Sequence, residues 1–266
     1  MTRRLCLVTG ASSGIGAASA RVFASKGYDV ALTARRADRL EALADEIRLR
    51  FGVEAFAVPG DLALAETPDA ILGAVAEQGR HVDALVNNAG FGLPGAYVAT
   101  PWHAQRAFLQ LMLVSVCDLT HKVLPGMVDR RFGRIVNVAS VAGLIPGSAG
   151  HTLYAASKSF LVKFSQSLHL ECRDTGVHVS ALCPGFTYSE FHDANGTRDR
   201  VSSNMPEWMW LGADEVAQVG YEAVEANRAV AVSGAPNKAV AAIAKLLPDE
   251  WSLALMHKQS SRFRQM

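Results

Sequence analysis

The chain has 266 residues, half of them hydrophobic, enough to bury a large core in a single α/β domain spanning 1–266. A formal net charge of +1 gives no electrostatic pull toward nucleic acid or an anionic membrane, so the expected partner is a small molecule. The basic start M-T-R-R-L-C-L-V is interrupted at once by Thr9, Gly10 and two serines, and no later run reaches the roughly 18 to 20 apolar residues that span a bilayer; a cytoplasmic protein with no membrane partner is expected.

From the N-terminus, L-C-L-V-T at Leu5 predicts a first strand, followed by Gly10-Ala11-Ser12-Ser13-Gly14-Ile15-Gly16 and a helix. This turn has two readings. Gly10 to Gly14 matches the G-x-S-x-G nucleophile elbow of hydrolases, with Ser12 as nucleophile, but that elbow normally follows several strands and needs an acid and a histidine downstream. Alternatively the turn holds a phosphate: Gly10 permits the tight bend, Gly14 lets the backbone approach a pyrophosphate, and Gly16 lets the helix pack on the sheet. Free N–H groups at the helix start then face the anion. The spacing G-x-x-x-G-x-G differs from G-x-G-x-x-G, and no lysine follows as a P-loop requires.

D-V-A-L-T-A from Asp29 predicts a second strand, leading through Ala34 to Arg35 and Arg36. The next helix places Leu40, Leu43 and Ile47 on one face. Two cations ahead of a helix oppose its dipole, so a nearby anion relieves a cost; otherwise both solvate a surface turn offset by Asp38 and Glu41. Further strands are predicted at V-E-A-F-A-V from Val53, ahead of Asp61 and Leu62, and at V-D-A-L-V from Val82, ahead of Asn87, Asn88, Ala89 and Gly90. The last three are R-I-V-N-V from Arg134, leading to Ser140, V-H-V-S-A-L from Val177, leading to Pro184 and Gly185, and A-V-A-V from Ala229.

Helix-length segments separate these runs, which predicts a Rossmann-like doubly wound parallel sheet of about seven strands with helices on both faces. Tyr154 and Lys158 lie at i and i+4 on a helix from about Thr152 to Cys172. In isolation they read as a surface pair. A phenol with a pKa of about 10 is a poor base at neutral pH, and Lys158 is expected to lower it by favouring phenolate. The four cysteines form no C-x-x-C pair and read as buried thiols; the histidines lack zinc spacing, so no metal site is expected. Residues 235–266 form a C-terminal extension that reads as a helix, Pro248 and a second helix.

Four motifs in order, T-G-x-x-x-G-x-G at Thr9, N-N-A-G at Asn87, Tyr154-A-A-S-Lys158 and Pro184-Gly185, resemble the short-chain dehydrogenase/reductase superfamily. The resemblance implies an enzyme, an NADP(H)-dependent oxidoreductase interconverting a carbonyl and an alcohol. Tyr154 would exchange a proton with the substrate oxygen while nicotinamide C4 carries the hydride. Lys158 would also bind the nicotinamide ribose, and Ser140, preferred over Ser148, would hold the substrate oxygen.

The cofactor would contact Gly10, Ser12, Ser13, Gly14, Ile15 and Gly16 through its phosphates, Asp61 and Leu62 through adenine, and Asn88, Ala89 and Gly90 along the adenosine side. Beyond Pro184 and Gly185, Ser189 matches a family phosphate or carboxamide contact, with Thr187 as its competitor. Ala34 stands where NAD-preferring relatives carry an Asp, so Arg35 and Arg36 favour NADP over NAD. A homodimer or homotetramer is implied, with a substrate lid over 186–212. Its Met205, Trp208, Met209 and Trp210 suit a lipophilic ligand, core packing or a subunit contact equally.

One position departs from the family: Met112 stands where an Asn completes a proton relay. A thioether lacks the amide's hydrogen bonds, so the helix is expected to lose its local distortion, and Met112→Asn is expected to raise turnover. This departure keeps a weakly active or non-catalytic NADP-binding protein as the second functional reading. A serine hydrolase using Ser12 is the third.

Overall fold

In this computed structural model the described residues are 3–188, 190 and 206–260. They form one seven-stranded, all-parallel sheet in the order β3-β2-β1-β4-β5-β6-β7. The strands are β1 (Leu5–Thr9), β2 (Asp29–Thr33), β3 (Ala55–Ala57), β4 (Ala84–Asn87), β5 (Gly133–Val138), β6 (Val177–Cys183) and β7 (Val230–Val232). All seven coincide with runs expected from the sequence. β3 keeps only three residues at the sheet edge, where it has one neighbour.

Strand side chains alternate between two cores, as period-two geometry requires. Cys6 and Val8 point into one core with helices α1 (Gly14–Ser25) and α2 (Ala37–Phe51), where Leu40, Leu43 and Ile47 are buried as predicted. Leu5 and Leu7 point into the other core with α3 (Thr67–Glu77), α5 (Ser115–Asp129) and α6 (Thr152–Glu171). Helix α7 (Ala213–Glu225) joins the first face, and α8 (Ala235–Leu246) and α9 (Asp249–Ser260) flank Pro248 as expected. Cys6, Cys117, Cys172 and Cys183 are free thiols.

A continuous helical rod runs from Trp102 to Asp129 through α4 (Trp102–Leu109), a five-residue π-helical turn (Gln110–Val114) and α5. By length and mean hydropathy alone the rod passes for a membrane span, which inspection of uninterrupted apolar runs did not suggest. Its Phe108, Met112, Leu119 and Met127 are instead fully buried within the protein.

The strand order reverses between β1 and β4, and there the carboxyl ends of two neighbouring strands open toward ligands. Helix α1 enters this crevice so tightly that a Cβ on Gly16 would lie 2.2 Å from the Gly10 carbonyl oxygen and 2.5 Å from Asn88 Nδ2. Gly16→Ala is therefore expected to cost about 1–3 kcal/mol of stability through backbone displacement, read as a lower urea midpoint at unchanged slope.

Candidate active site

The turn after β1 is built by a hydroxyl. Thr9 Oγ1 donates to the Val86 carbonyl (3.2 Å) and accepts from the N–H groups of Asn88 (2.9 Å) and Ala89 (3.0 Å). In return Asn88 Nδ2 donates to the Thr9 and Gly10 carbonyls at 2.9 and 3.2 Å. Gly10 and Gly14 take the left-handed conformation (φ 66° and 55°), which L side chains adopt only under strain. Helix α1 then starts with no side-chain cap from Ser13, so its first-turn N–H groups remain suited to an anion. The sequence signals this role of Thr9 only through its place directly before the glycine turn.

The structure brings Ser140 and Tyr154 together and sets Lys158 beneath them. Ser140 lies two residues beyond the end of β5 and caps a short 3₁₀ turn (Val141–Gly143), its Oγ accepting from the Ala142 N–H at 3.1 Å. Gly143 presses on α6 so closely that a Cβ would meet the Lys158 carbonyl carbon at 2.5 Å, and Ser159 Oγ donates to the Gly143 carbonyl at 2.7 Å. The loop is thereby docked on the turn of α6 after Tyr154. Ser140 hydrogen-bonds the Tyr154 side chain, and His151 lies near by with its ring centroid 6.5 Å from that of Tyr154.

The electrostatics differ from the sequence expectation. Desolvation pushes the Tyr154 phenol up to about 12, opposed by the hydrogen bond with Ser140. Lys158 is itself only 6% exposed, and burial lowers it to about 8. Its ammonium donates to the Val138 carbonyl at 2.8 Å and sits 5.6 Å from the Tyr154 ring centroid. The net shift of the phenol is thus upward, opposite in direction to the sequence expectation: burial outweighs the nearby lysine, whose ammonium is held by a backbone carbonyl.

Met112 occupies the middle of the π-helical turn, 1% exposed, with its sulfur 2.8 Å from where a Cβ on Gly90 would be. The expected loss of the helix distortion is corrected too. The π turn persists without an asparagine, with Ser115 Oγ donating to the Leu111 carbonyl at 2.7 Å beside it. Such a turn is a feature of backbone register, and a packed thioether does not prevent it.

Of the two arginines after β2, only Arg36 reaches the glycine turn. Its Nη2 lies 2.9 Å from Ser12 Oγ and 3.2 Å from Ser13 Oγ, and its Nε lies 3.3 Å from Ser12 Oγ. Arg36 Nη1 pairs with Glu190 Oε2 at 2.8 Å, and Arg39 holds the other Glu190 oxygen. Arg35 is exposed and makes no side-chain hydrogen bond among the described residues. Ser12 accepts from a guanidinium, which is no general base, and its partner is no histidine; the geometry disfavours the hydrolase reading.

Asp61 and Leu62 follow β3 beside Ala34, whose carbonyl accepts from Gly60 N–H at 3.0 Å. Asp61 Oδ1 accepts from Ala63 N–H at 3.0 Å, and Leu62 is buried. Pro184 accepts from Val141 N–H at 2.9 Å, tying the end of β6 to the Ser140 turn, and Gly185 packs against Asn237 of α8. Thr187 is buried and donates to the Gly185 carbonyl at 3.1 Å. Ser189 and Met205 lie outside the described residues. Trp210 sits between Phe186 and Tyr188 at centroid distances of 5.6 and 5.0 Å, so it packs on its own chain, whereas Trp208 is 66% exposed.

Comparison with known proteins identifies the family. The model of the short chain dehydrogenase family matches residues 4–199. An uncharacterized oxidoreductase of Myxococcus xanthus is 37% identical over 195 residues, 73% of this chain and 76% of that protein. A sulfoacetaldehyde reductase of Chromohalobacter salexigens is 36% identical over 199 residues, 74% and 78% of the two chains. A solved short-chain dehydrogenase from Sphingobium yanoikuyae in complex with NADPH superposes with a TM-score of 0.80 at 31% identity, covering 91% of this chain and 93% of that one.

Because the π turn stands without an asparagine, Met112→Asn is no longer expected to raise turnover. Placing an amide in this apolar, fully buried position should cost about 1–3 kcal/mol and lower Tm in a thermal scan. An unchanged Tm together with a faster reaction would restore the expectation drawn from the sequence.

Proposed function

The chain belongs to the short-chain dehydrogenase family and is an oxidoreductase, and from that premise we propose that it reduces a carbonyl, or oxidises the corresponding alcohol, with NADP(H) as its cofactor. The observation that carries the choice of NADP(H) is Arg36 bridging the Ser12 and Ser13 hydroxyls of the glycine turn, a ready set of donors for a phosphate. The cradle fits the rest of a dinucleotide: left-handed glycines, an uncapped helix start, and a crevice at the strand-order reversal. A bound nicotinamide would supply or accept the hydride. The similar structure solved with NADPH supports the same choice.

The chain's own residues handle the proton. Ser140 Oγ orients the substrate oxygen, and Tyr154, kept protonated by burial, donates its proton to that oxygen as negative charge develops there. The phenolate left behind is stabilised by the Lys158 ammonium below it. In the direction of alcohol oxidation the roles reverse, and the high phenol pKa makes the base form scarce.

Four free thiols suit a reducing, cytoplasmic setting. The outward faces of the Trp102–Asp129 rod and α6 expose Trp102, Val114 and Phe160, which a second copy of the chain would cover in a homo-oligomer. The aromatic contacts of Trp210 leave Trp208 as the described aromatic of the 186–212 lid free to meet a lipophilic substrate.

NADPH oxidation with a carbonyl panel tests the chemistry. Tyr154→Phe should lose about 10²- to 10⁴-fold in turnover while still binding NADPH. For the wild type, reduction should be fastest below the Lys158 value of about 8 and fall as rising pH removes that charge. A rate independent of pH from about 6 to 10 contradicts the lysine's role.

Cofactor choice is tested by titration: Arg36→Ala should weaken NADP⁺ roughly ten- to hundred-fold with little effect on NAD⁺, and Arg35→Ala should change either much less. Equal losses in the two variants would count against the assignment to Arg36.

A further inference from the structure

Glu190 lies 154 residues from Arg36 in sequence, yet its carboxylate sits on the same guanidinium that holds Ser12 and Ser13. One oxygen is 2.8 Å from Arg36 Nη1 and the other contacts Arg39 Nη1. These are its two ion-pair partners among the described residues. The paired arginines hold the Glu190 carboxyl down at about 2, so it stays charged across the working pH range. The same carboxylate borders an open cleft of about 380 Å³ with Ser13, Gly14, Arg21, Tyr188 and Asp214, at the start of α1. An internal anion thus occupies the place where a donor set awaits an external one.

Resting on the NADP(H) reading above, we propose that Glu190 is a resident counter-ion that competes with the cofactor's 2′-phosphate for Arg36 and Arg39, and so sets how strongly the enzyme prefers NADP over NAD. Two anions on one guanidinium repel each other, so a 2′-phosphate arriving at Arg36 must move the carboxylate off it. The phosphate carries more charge and displaces it, but part of its binding energy is consumed in doing so. NAD⁺ has no group at this position and binds with Glu190 in place. Glu190 therefore narrows the cofactor preference without taking part in the reaction.

Glu190→Gln removes the charge while keeping the shape, and a half-exposed side chain leaves the fold intact. Calorimetric titration of the full chain with NADP⁺ and NAD⁺ should show the NADP⁺ Kd falling about three- to ten-fold, with NAD⁺ unchanged within about two-fold. Glu190→Ala should act in the same direction.

If neither variant tightens NADP⁺ while NADP⁺ remains preferred over NAD⁺, the role of Glu190 is overturned and the NADP(H) assignment stands. Equal tightening of both cofactors also overturns it, because the carboxylate would then repel phosphates that the two share. Tighter NAD⁺ than NADP⁺ binding in wild type and variants alike would remove the NADP(H) assignment and this inference with it.

Discussion

The Thr9 hydroxyl and the Asn88 amide make the contact from which the rest of the molecule's working end follows. They cross-link the carboxyl ends of β1 and β4, the two strands between which the sheet order reverses. A single hydroxyl satisfies two loop N–H groups that would otherwise be left without partners, and one amide satisfies two carbonyls of the glycine turn. With the turn pinned in this way, its carbonyls are engaged from behind. Its helix-start N–H groups point outward, and α1 is held against the sheet at a distance only glycine tolerates at position 16.

The same economy recurs at the reacting end. Gly143 lets the Ser140 loop lie directly on α6, which brings a serine just beyond β5 to a tyrosine on a helix that begins twelve residues later. The surroundings then tune the chemistry: burial raises the Tyr154 phenol and lowers Lys158 to about 8, which leaves its ammonium mostly charged at neutral pH. These shifts suit proton donation to a developing alkoxide. The π turn at Gln110–Val114 sets the buried Met112 against Gly90, a contact that depends on packing and backbone register and not on a polar side chain.

Much of this was legible in the sequence because it is local. Seven apolar runs at helix-length spacing sufficed for the parallel sheet, and Leu40, Leu43 and Ile47 marked the buried face of α2 without reference to anything distant. Motif order placed Ser140, Tyr154 and Lys158 near one another. The direction of the tyrosine shift was not legible, since desolvation depends on what surrounds the phenol and Lys158 turned out to be held by the Val138 carbonyl. Nor was the π turn, which belongs to backbone register and survives the exchange of a side chain. Choosing Arg36 over Arg35 required knowing which one faces the turn, and Glu190 is joined to Arg36 by folding alone.

A nicotinamide held in this crevice beside the Tyr154 phenol, as proposed above, would pass its hydride directly to the substrate carbon. An isotopic experiment tests this: NADPH carrying two deuteriums at nicotinamide C4 is incubated with the wild-type chain and a carbonyl panel, and the products are weighed by mass spectrometry. Direct transfer yields an alcohol carrying one deuterium on the former carbonyl carbon. Saturating binding of NADPH with no label in any product would contradict it.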